Sequence, residues 1–496
     1  MQASVQAVET RTVPTAGAAP ARSGQTGSHP PRPRMSPRAI ELVGLALGIG
    51  FITAVALGRE LSNDEFWQLA AGQWMLAHHS LMGLDPFSYT EPHRRWITDE
   101  WGSEIALAEL FRAFGAAASN VYAIVLGALC LLVSAAYARA LGARGGRVAA
   151  IVMLLAVGIA GVVAGDRGLD FSLVWLPLEL LVLTKARADA RWLLALPLLC
   201  VAWVNTHGSI LIGLLVLGVE LAWSLAPARL VERLGGVRQS PRPGLLALSL
   251  LGSLVASCIT PYGPGLLAYD VDVARNPQIA QYIDEWNSPD FHSLMTLLVF
   301  LVPLAVLVAC VRSRRIPLLE GTLGLLLFVE ALRTQRLVVY LMIVAVGLAA
   351  SLPARRPWGT VARRWAGGGL VVFAIVILAA PSVPAGTVSP TLPVQAFDYL
   401  GAHHGRIFTE YTWGDYLIAR HRATFVDGRT DLFEGRVLTE FFDVTDVTTD
   451  PDPVLSAYHV SYVVWAPHTA LSEYLSRDPG WHVVDRTAVA DVFARR

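Results

Sequence analysis

NDEFWQLAAGQWMLAHH, residues 63–79, follows directly on IELVGLALGIGFITAVALGRELS, residues 40–62, and the contrast decides how this chain is read. The first stretch is long and apolar enough to span a bilayer. The second opens on two acids and is too polar to do so. Ser62 with Glu65 three residues on is a capping-box pattern. It starts a helix in which Phe66, Leu69, Ala70 and Trp74 share one face, while Gln68, Gln73 and His79 are polar. Trp67 and Trp74 suit the headgroup zone, so the helix is expected to lie in the interface plane. A turn at DPFSYT (85–90) leads to a second amphipathic helix beginning in TDEWGSEIALAELFRAF (98–114), with Asp99 and Glu100 near its N-terminus.

Composition supports a membrane setting. Of 496 residues, 54% are hydrophobic and 16% charged, with a mean hydropathy of +0.49; soluble domains carry roughly a quarter charged residues. Apolar runs recur at 40–58, 119–138, 148–165, 170–185, 191–205, 209–226, 244–260, 292–311, 316–332, 337–352 and 365–381. The expected fold class is therefore mainly α, a polytopic transmembrane helical bundle of about eleven spans. A net charge of zero without a basic stripe argues against a nucleic-acid partner. Cys130, Cys200, Cys258 and Cys310 fall inside spans, so no disulfide framework is indicated. Residues 1–39, rich in Pro, Ala, Gly, Ser and Arg, read as a disordered cytoplasmic tail.

Orientation follows from the basic residues, which stay on the cytoplasmic side of spans. They cluster in alternate loops: Arg32, Arg34 and Arg38; Arg139, Arg144 and Arg147; Lys185, Arg187 and Arg191; Arg229, Arg233, Arg238 and Arg242; Arg312, Arg314 and Arg315; Arg355, Arg356, Arg363 and Arg364. The alternation predicts an N-in, C-out, multi-pass protein of a cell inner membrane. The outer face then collects 59–118, GDRGLD (165–170), NTHGS (205–209), the loop 261–291, RTQR (333–336) and the segment 385–496. Glu179 and Glu220 lie within spans nearer the cytoplasmic side, where bundle packing explains them as well as transport does.

Asp64 sits just beyond the end of a span, where a carboxylate would face a lipid-borne substrate. Glu65 and Glu100 have a simpler reading as first-turn acids favoured by the helix dipole.

The stretches DEFWQLAAGQWML (64–76), DPFSYT, WITDEWGSEIAL (96–107), WVNTHGS (203–209), TPYG (260–263), IDEWNSPDF (283–291) and DGRTDLF (427–433) resemble a large bacterial group of polytopic membrane proteins. That group in turn resembles the GT-C superfamily of glycosyltransferases, which includes protein mannosyltransferases and aminoarabinose transferases. The resemblance implies a catalytic acidic pair in the first outer loop, matched by Asp64 and Glu65. Here Phe66 and Trp67 follow, where protein mannosyltransferases carry a small residue and Tyr. It also implies a lipid-linked sugar donor, on polyprenyl phosphate, and an envelope glycan, lipid or protein acceptor, all handled beside membrane lipid.

Such a transfer needs a base for the acceptor proton, for which Asp64 is the candidate, and cations for the departing phosphate. Arg333 and Arg336 break the positive-inside pattern and are the candidate clamp; a structural pair between Arg333 and Glu330, three residues earlier, is the competing reading. Arg167 is a third cation. His207 could orient a carboxylate, bind substrate or ligate a metal, though a lone histidine is more often hydrogen-bonded structure. Asp99, Glu100, Asp284 and Glu285 complete the candidate substrate-binding set. No HExxH, Walker or CxxC pattern appears, so no metal ligands are assigned; no cofactor is certain, and a divalent metal at the acidic positions stays an alternative. The other function classes are a transporter or flippase for lipid-linked glycans, which needs polar residues through the bundle, and an assembly scaffold, for which Asp64 is dispensable.

Domain limits are drawn at 1–39 for the tail, 40–384 for the transmembrane domain and 385–496 for an extracytoplasmic α/β domain. In the last, 406–411, 423–428, 461–466 and 482–494 read as strands, and 393–404 and 452–460 as helices. Gly414, Asp415, Asp427, Gly428 and Arg429 fall on loops, where turn chemistry explains them and binding is the alternative.

Overall fold

The computed structural model describes residues 35–92, 94–163, 165, 168–234, 242–314, 316–353 and 373–496. Helices α1 (Pro37–Leu57), α2 (Asn63–His78), α3 (Trp101–Phe114), α4 (Ala118–Ala140), α5 (Gly146–Val163) and α6 (Leu169–Ala186) form the first half. They are followed by α7 (Ala195–Val204), α8 (Ile210–Leu225), α9 (Ala228–Arg233), α10 (Pro243–Ala256), α11 (Gly265–Arg275), α12 (Pro277–Tyr282), α13 (Leu294–Ser313), α14 (Leu318–Ala331) and α15 (Val338–Ser351). The bundle core runs through α1, α4, α5, α6, α8 and α15; almost every residue of α15 from Val339 to Leu348 is buried.

Among the described residues, four runs are both long and apolar enough to cross a membrane: Pro37–Leu57, Trp101–Ala140, Gly146–Val163 and Thr296–Ser313. They coincide with four of the eleven expected spans. The rest differ for identifiable reasons. Apolar helices at Ala190–Val204, Ile210–Leu225, Pro243–Ala256 and Gln335–Ser351 are shorter; at 1.5 Å per residue, fourteen residues rise only about 21 Å against a hydrocarbon thickness of about 30 Å. Helix α6 contains Asp170, Glu179, Lys185 and an internal Pro177. The first part of the run 365–381, residues 365–372, lies outside the described residues. Several buried charges of the bundle are paired: Glu41 accepts the Gly145 N–H at 2.6 Å, Tyr137 donates to Glu320 at 2.7 Å, and Arg187 approaches Glu220 at 3.9 Å. Such mutual satisfaction is what ionisable groups in a bundle need.

Helix α2 starts where the capping pattern places it, with the Glu65 carboxylate accepting the Ser62 N–H at 2.6 Å. Its buried side, however, is Glu65, Phe66, Gln68, Ala71, Gly72 and Met75 rather than the face expected from Phe66, Leu69, Ala70 and Trp74. Helix α3 covers one flank and the later helix at Tyr411–Ala419 another, so α2 is a layer between protein elements and not a one-sided surface helix. Polar side chains turn inward because partners wait there: Arg59 for Glu65 and Glu100 for Gln68. Gly72 allows the closest approach, since a methyl on it would lie 2.1 Å from the Glu104 carbonyl oxygen.

The C-terminal segment contains α16 (Val394–Leu400), α17 (Tyr411–Ala419), α18 (Arg436–Thr445), α19 (Asp452–Ala457) and α20 (Ala470–Arg477) around four strands. The strands are β1 (Arg406–Thr409), β2 (Val460–Trp465), β3 (Trp481–Arg486) and β4 (Asp491–Arg495), in sheet order β1-β2-β4-β3. Strands β1 and β2 are parallel and the other pairs antiparallel, so Phe408, Val463 and Phe493 align across one buried row. The expected strand at 482–494 is two strands, because Thr487 and Ala490 close a turn through backbone and hydroxyl bonds of 2.9 Å. The expected strand at 423–428 is not a sheet member. Its Thr424 pairs instead with the first outer loop, accepting from the Tyr89 N–H at 3.0 Å and donating to the Phe87 carbonyl at 2.9 Å.

That pairing is one of many. Met75, Met82 and Trp96 of the first outer loop share a core with Phe408, Phe425, Phe433 and Phe441. Tyr89 donates to the Ile407 carbonyl and Thr90 to that of Phe425, at 2.8 and 2.6 Å. Residues 37–496 form one compact unit, and the C-terminal sheet and the segment after α1 bury their apolar faces against each other.

Candidate active site

Polar stretches distant in sequence pick one another as contacts. Trp101 donates its indole N–H to Asn205 at 3.0 Å, the Gly102 N–H reaches the Asn205 carbonyl at 3.0 Å, and Asn205 donates to the Ile259 carbonyl at 2.9 Å. The Thr98 N–H reaches the Tyr262 hydroxyl at 3.1 Å. Thus TDEWG, NTHGS and TPYG meet at one end of the bundle. The RTQR turn joins them through the 3-10 turn Asp284–Trp286: Gln335 N–H bonds the Asn287 carbonyl at 3.0 Å, and the Arg336 guanidinium lies 5.4 Å from the Trp286 ring centre.

From Arg336 a polar chain runs inward. Its Nη2 is 3.4 Å from His207 Nε2, which is 3.3 Å from Glu100 Oε1; Gln68 donates to Glu100 Oε2 at 3.1 Å. His207 Nδ1 accepts the Ser209 N–H at 3.0 Å, which puts the ring proton of a neutral imidazole on Nε2. That N–H serves Glu100. Arg336 therefore meets a donor, not a lone pair, and its attraction is to the Glu100 charge beyond the ring. Gln68 lies one turn along α2 from Asp64, on neighbouring positions of the helix surface.

Asp64 itself is half-buried at the first turn of α2, with the Trp67 indole N–H 3.4 Å from its Oδ1. Facing it is the DGR turn of the C-terminal segment. The Gly428 N–H donates to Asp415 Oδ1 at 2.7 Å, and a methyl on Gly428 would sit 3.1 Å from Asp64 Oδ1. Next to this turn Arg429 is wholly enclosed. It bonds Asp427 through Nε at 2.8 Å and Nη2 at 2.7 Å, and Asp85 through Nη1 at 2.7 Å. The rings of Trp96, Phe87 and Phe433 surround its guanidinium. Burial pushes Asp85 up, but Arg429, Ser88 and the Phe87 N–H outweigh it and hold the carboxyl below its ordinary range.

A third group of acids lines the same end. Burial first, then Glu100, Asp270 and Asp431, push Asp99 well above the carboxylate range. Asp270 is raised to about 7 by burial and then by Glu100, and its carboxylate lies against Gly208. Asp431 is raised by burial and accepts a hydrogen bond from the Tyr269 hydroxyl. Among the described residues, no group of three or more His, Cys, Asp or Glu side chains is arranged to hold a metal ion.

The expected site residues therefore separate. Arg336, His207 and Glu100 come together, with Asp99 at their edge, and Asp64 stands one helical turn from Gln68. Glu65 is buried and engaged by Arg59 at 2.9 Å and by the Ser62 N–H, the place of a cap. Arg333 is exposed and pairs with Glu330 at 3.8 Å. Arg167 lies outside the described residues; of its neighbours, Gly165 accepts the Ser62 hydroxyl at 2.8 Å and Gly168 lies against the Glu100 carboxylate. Glu285 is half-buried on the 3-10 turn, and the Asp284 side chain lies outside the description. Sequence reading left Asp415, Asp427 and Arg429 to turn chemistry. The usable signal was DGRTD itself, three charges in five residues flanked by Phe425, Val426, Leu432 and Phe433, a pattern that requires partners from elsewhere.

Among solved structures, this chain superposes on archaeal oligosaccharyltransferase AglB from Archaeoglobus fulgidus, in complex with an inhibitory peptide and a dolichol-phosphate. The TM-score is 0.59 at 12% identity, covering 86% of this chain and 69% of that one. It also superposes on ArnT from Cupriavidus metallidurans bound to undecaprenyl phosphate, with a TM-score of 0.53 at 16% identity, covering 93% and 98%. This chain shares the fold of both. Apo ArnT agrees, at a TM-score of 0.51 and 17% identity. No protein-family model and no curated protein sequence matches the chain. The shared fold and the apolar helices make this a membrane protein.

Proposed function

We propose that this protein transfers a sugar from a polyprenyl-phosphate donor to a hydroxyl of an envelope glycan, lipid or protein acceptor at the outer membrane–water boundary, with the N-terminus inside and the C-terminal segment outside. One observation carries the reading: the chain Arg336–His207–Glu100–Gln68 ends one helical turn from Asp64, so a cation and a carboxylate from distant parts of the sequence front one end of the bundle. Dolichol-phosphate and undecaprenyl phosphate in the two similar structures support a lipid-phosphate ligand.

In this scheme the acceptor oxygen attacks the anomeric carbon as its proton passes to Asp64. The bond from that carbon to the phosphate oxygen breaks, and the lipid phosphate leaves with the electron pair. Arg336 meets the added charge. Its attraction to Glu100 acts through the His207 ring, so phosphate has a route to displace it. Glu65 stays a cap and ion-pair partner of Arg59. Arg333, exposed on the rim, contributes little to phosphate binding.

The test is a deletion strain complemented with Asp64→Asn or Arg336→Ala, with envelope glycans and lipid-linked sugars profiled at matched protein levels. Asp64→Asn is expected to reduce transfer by roughly a hundredfold or more, with the lipid-linked precursor accumulating. Unchanged glycans in that strain would favour a carrier or scaffold and remove Asp64 as the base. Point variants serve better than truncation at 385, because truncation strips the core shared with the first outer loop.

A further inference from the structure

Gly428 marks a point where two carboxyl groups meet. A methyl on its Cα would lie 2.8 and 3.0 Å from the two oxygens of Asp415 and 3.1 Å from Oδ1 of Asp64. Asp415 comes from α17 and Asp64 from α2, two helices packed against each other. Asp415 is only 1% exposed. One of its oxygens accepts the Gly428 N–H, and the other has no hydrogen-bond partner among the described residues. The charged groups around it are Asp64 on α2, Asp427 beside Gly428, and Arg429, which is committed to Asp427 and Asp85. An ionised Asp415 would keep one backbone hydrogen bond while facing two like charges away from water. A neutral acid would not carry that penalty, and its O–H would donate to a neighbouring carboxylate, a charge-assisted bond of the stronger kind.

Resting on the reading of Asp64 as base, we propose that Asp415 is the positioning partner of Asp64: it carries the one proton held by the pair, leaves Asp64 ionised, and fixes it against the Gly428 turn. Burial, then Asp427 and Asp64, push the Asp415 carboxyl well above its ordinary range, in the direction this role needs. The competent state has Asp415 neutral and Asp64 charged. Acceptor protons go to Asp64 and leave from it to water, while Asp415 keeps its own. Loss of that last proton sets the alkaline limit of the reaction.

The deciding measurement is infrared spectroscopy of the full-length protein in lipid nanodiscs, following the carbonyl stretch of protonated carboxyl groups against pH. Asp415→Asn is expected to remove one such band present at pH 7. Asp64→Asn is expected to move the titration of that band down by about one unit or more, because a neighbouring negative charge has gone. No band lost, or a titration unmoved by Asp64→Asn, overturns the pairing. Should Asp415→Asn fail to accumulate, the shift caused by Asp64→Asn decides alone. Neither readout needs catalysis, so an absence of sugar transfer would count against the proposed function without touching this result. In a transfer assay, Asp415→Asn is expected to lose the alkaline limb of the pH profile. A profile only scaled down, with its limb in place, would mean that Asp415 is structural.

Discussion

Replacing Arg429 with Met tests whether the segment joining α2 to α3 and the C-terminal segment are held together by one buried charge. The guanidinium makes three bonds of 2.7–2.8 Å to Asp85 and Asp427, and all three side chains are at most 1% exposed. Methionine keeps much of the volume and still touches the aromatic box, so the packing loss is small. What remains is two enclosed carboxylates with their shared cation gone. Removing one partner of a buried ion pair costs about 3–5 kcal/mol, which corresponds to roughly two to four decades in a local opening equilibrium. Hydrogen–deuterium exchange on the full-length protein in nanodiscs reads this directly. Peptides covering 85–96 and 424–434 are expected to lose protection by that factor, while α4, α5 and α15 are unaffected. The triple variant Asp85→Asn, Asp427→Asn, Arg429→Met is expected to recover most of the loss, because no unpaired charge is left. Protection within about threefold of wild type in Arg429→Met, or an equal loss across the bundle, would refute the reasoning.

Gly72→Val places side-chain atoms against the Glu104 carbonyl, already 2.1 Å from a methyl, and is expected to lower the melting temperature and open the α2–α3 contact, with overpacking of this kind costing about 1–3 kcal/mol. Arg336→Ala is expected to weaken binding of undecaprenyl phosphate in a thermal-shift titration, whereas Arg333→Ala, an exposed i,i+3 partner of Glu330, leaves binding unchanged and stability within about 0.5 kcal/mol. Asp270 adds a pH dependence of known sign. Its carboxyl is raised to about 7 in the folded protein, so its contribution to stability is complete below the ordinary carboxylate value and is lost as pH rises from about 4 through about 7. Unfolding followed across that window is expected to show a smaller decline in Asp270→Asn; an identical decline would assign it to other groups.

Local patterns were legible wherever the interaction that makes them is short-ranged. Ser62 and Glu65 lie three residues apart, and the start of α2 was readable from them. Which side of α2 is buried was not, because Glu65 and Gln68 face inward only once Arg59 and Glu100 are in place. The strand at 423–428 was misread for a related reason: ATFVDG alternates like a sheet strand, yet its Thr424 bonds to Phe87 and Tyr89, more than three hundred residues away in sequence. His207 and Arg336 were picked out singly by their places on the outer side. Their meeting across 129 residues, and with Glu100, is a product of how the helices pack.

By itself, the sequence determined that this is a helical membrane protein with polar segments gathered at one end, because apolar run length and helix caps act over a few residues each. It also marked Asp64 and Arg336, through their positions beside spans. Only the tertiary structure decided which charges are structural and which stand at the candidate site. Arg429 meets Asp85 across 344 residues, and Asp415 and Asp64, about 350 residues apart, come to the same Gly428 turn. Whether a carboxylate is paired, protonated or free depends on what lies within a few ångströms of it, and no local pattern carries that information.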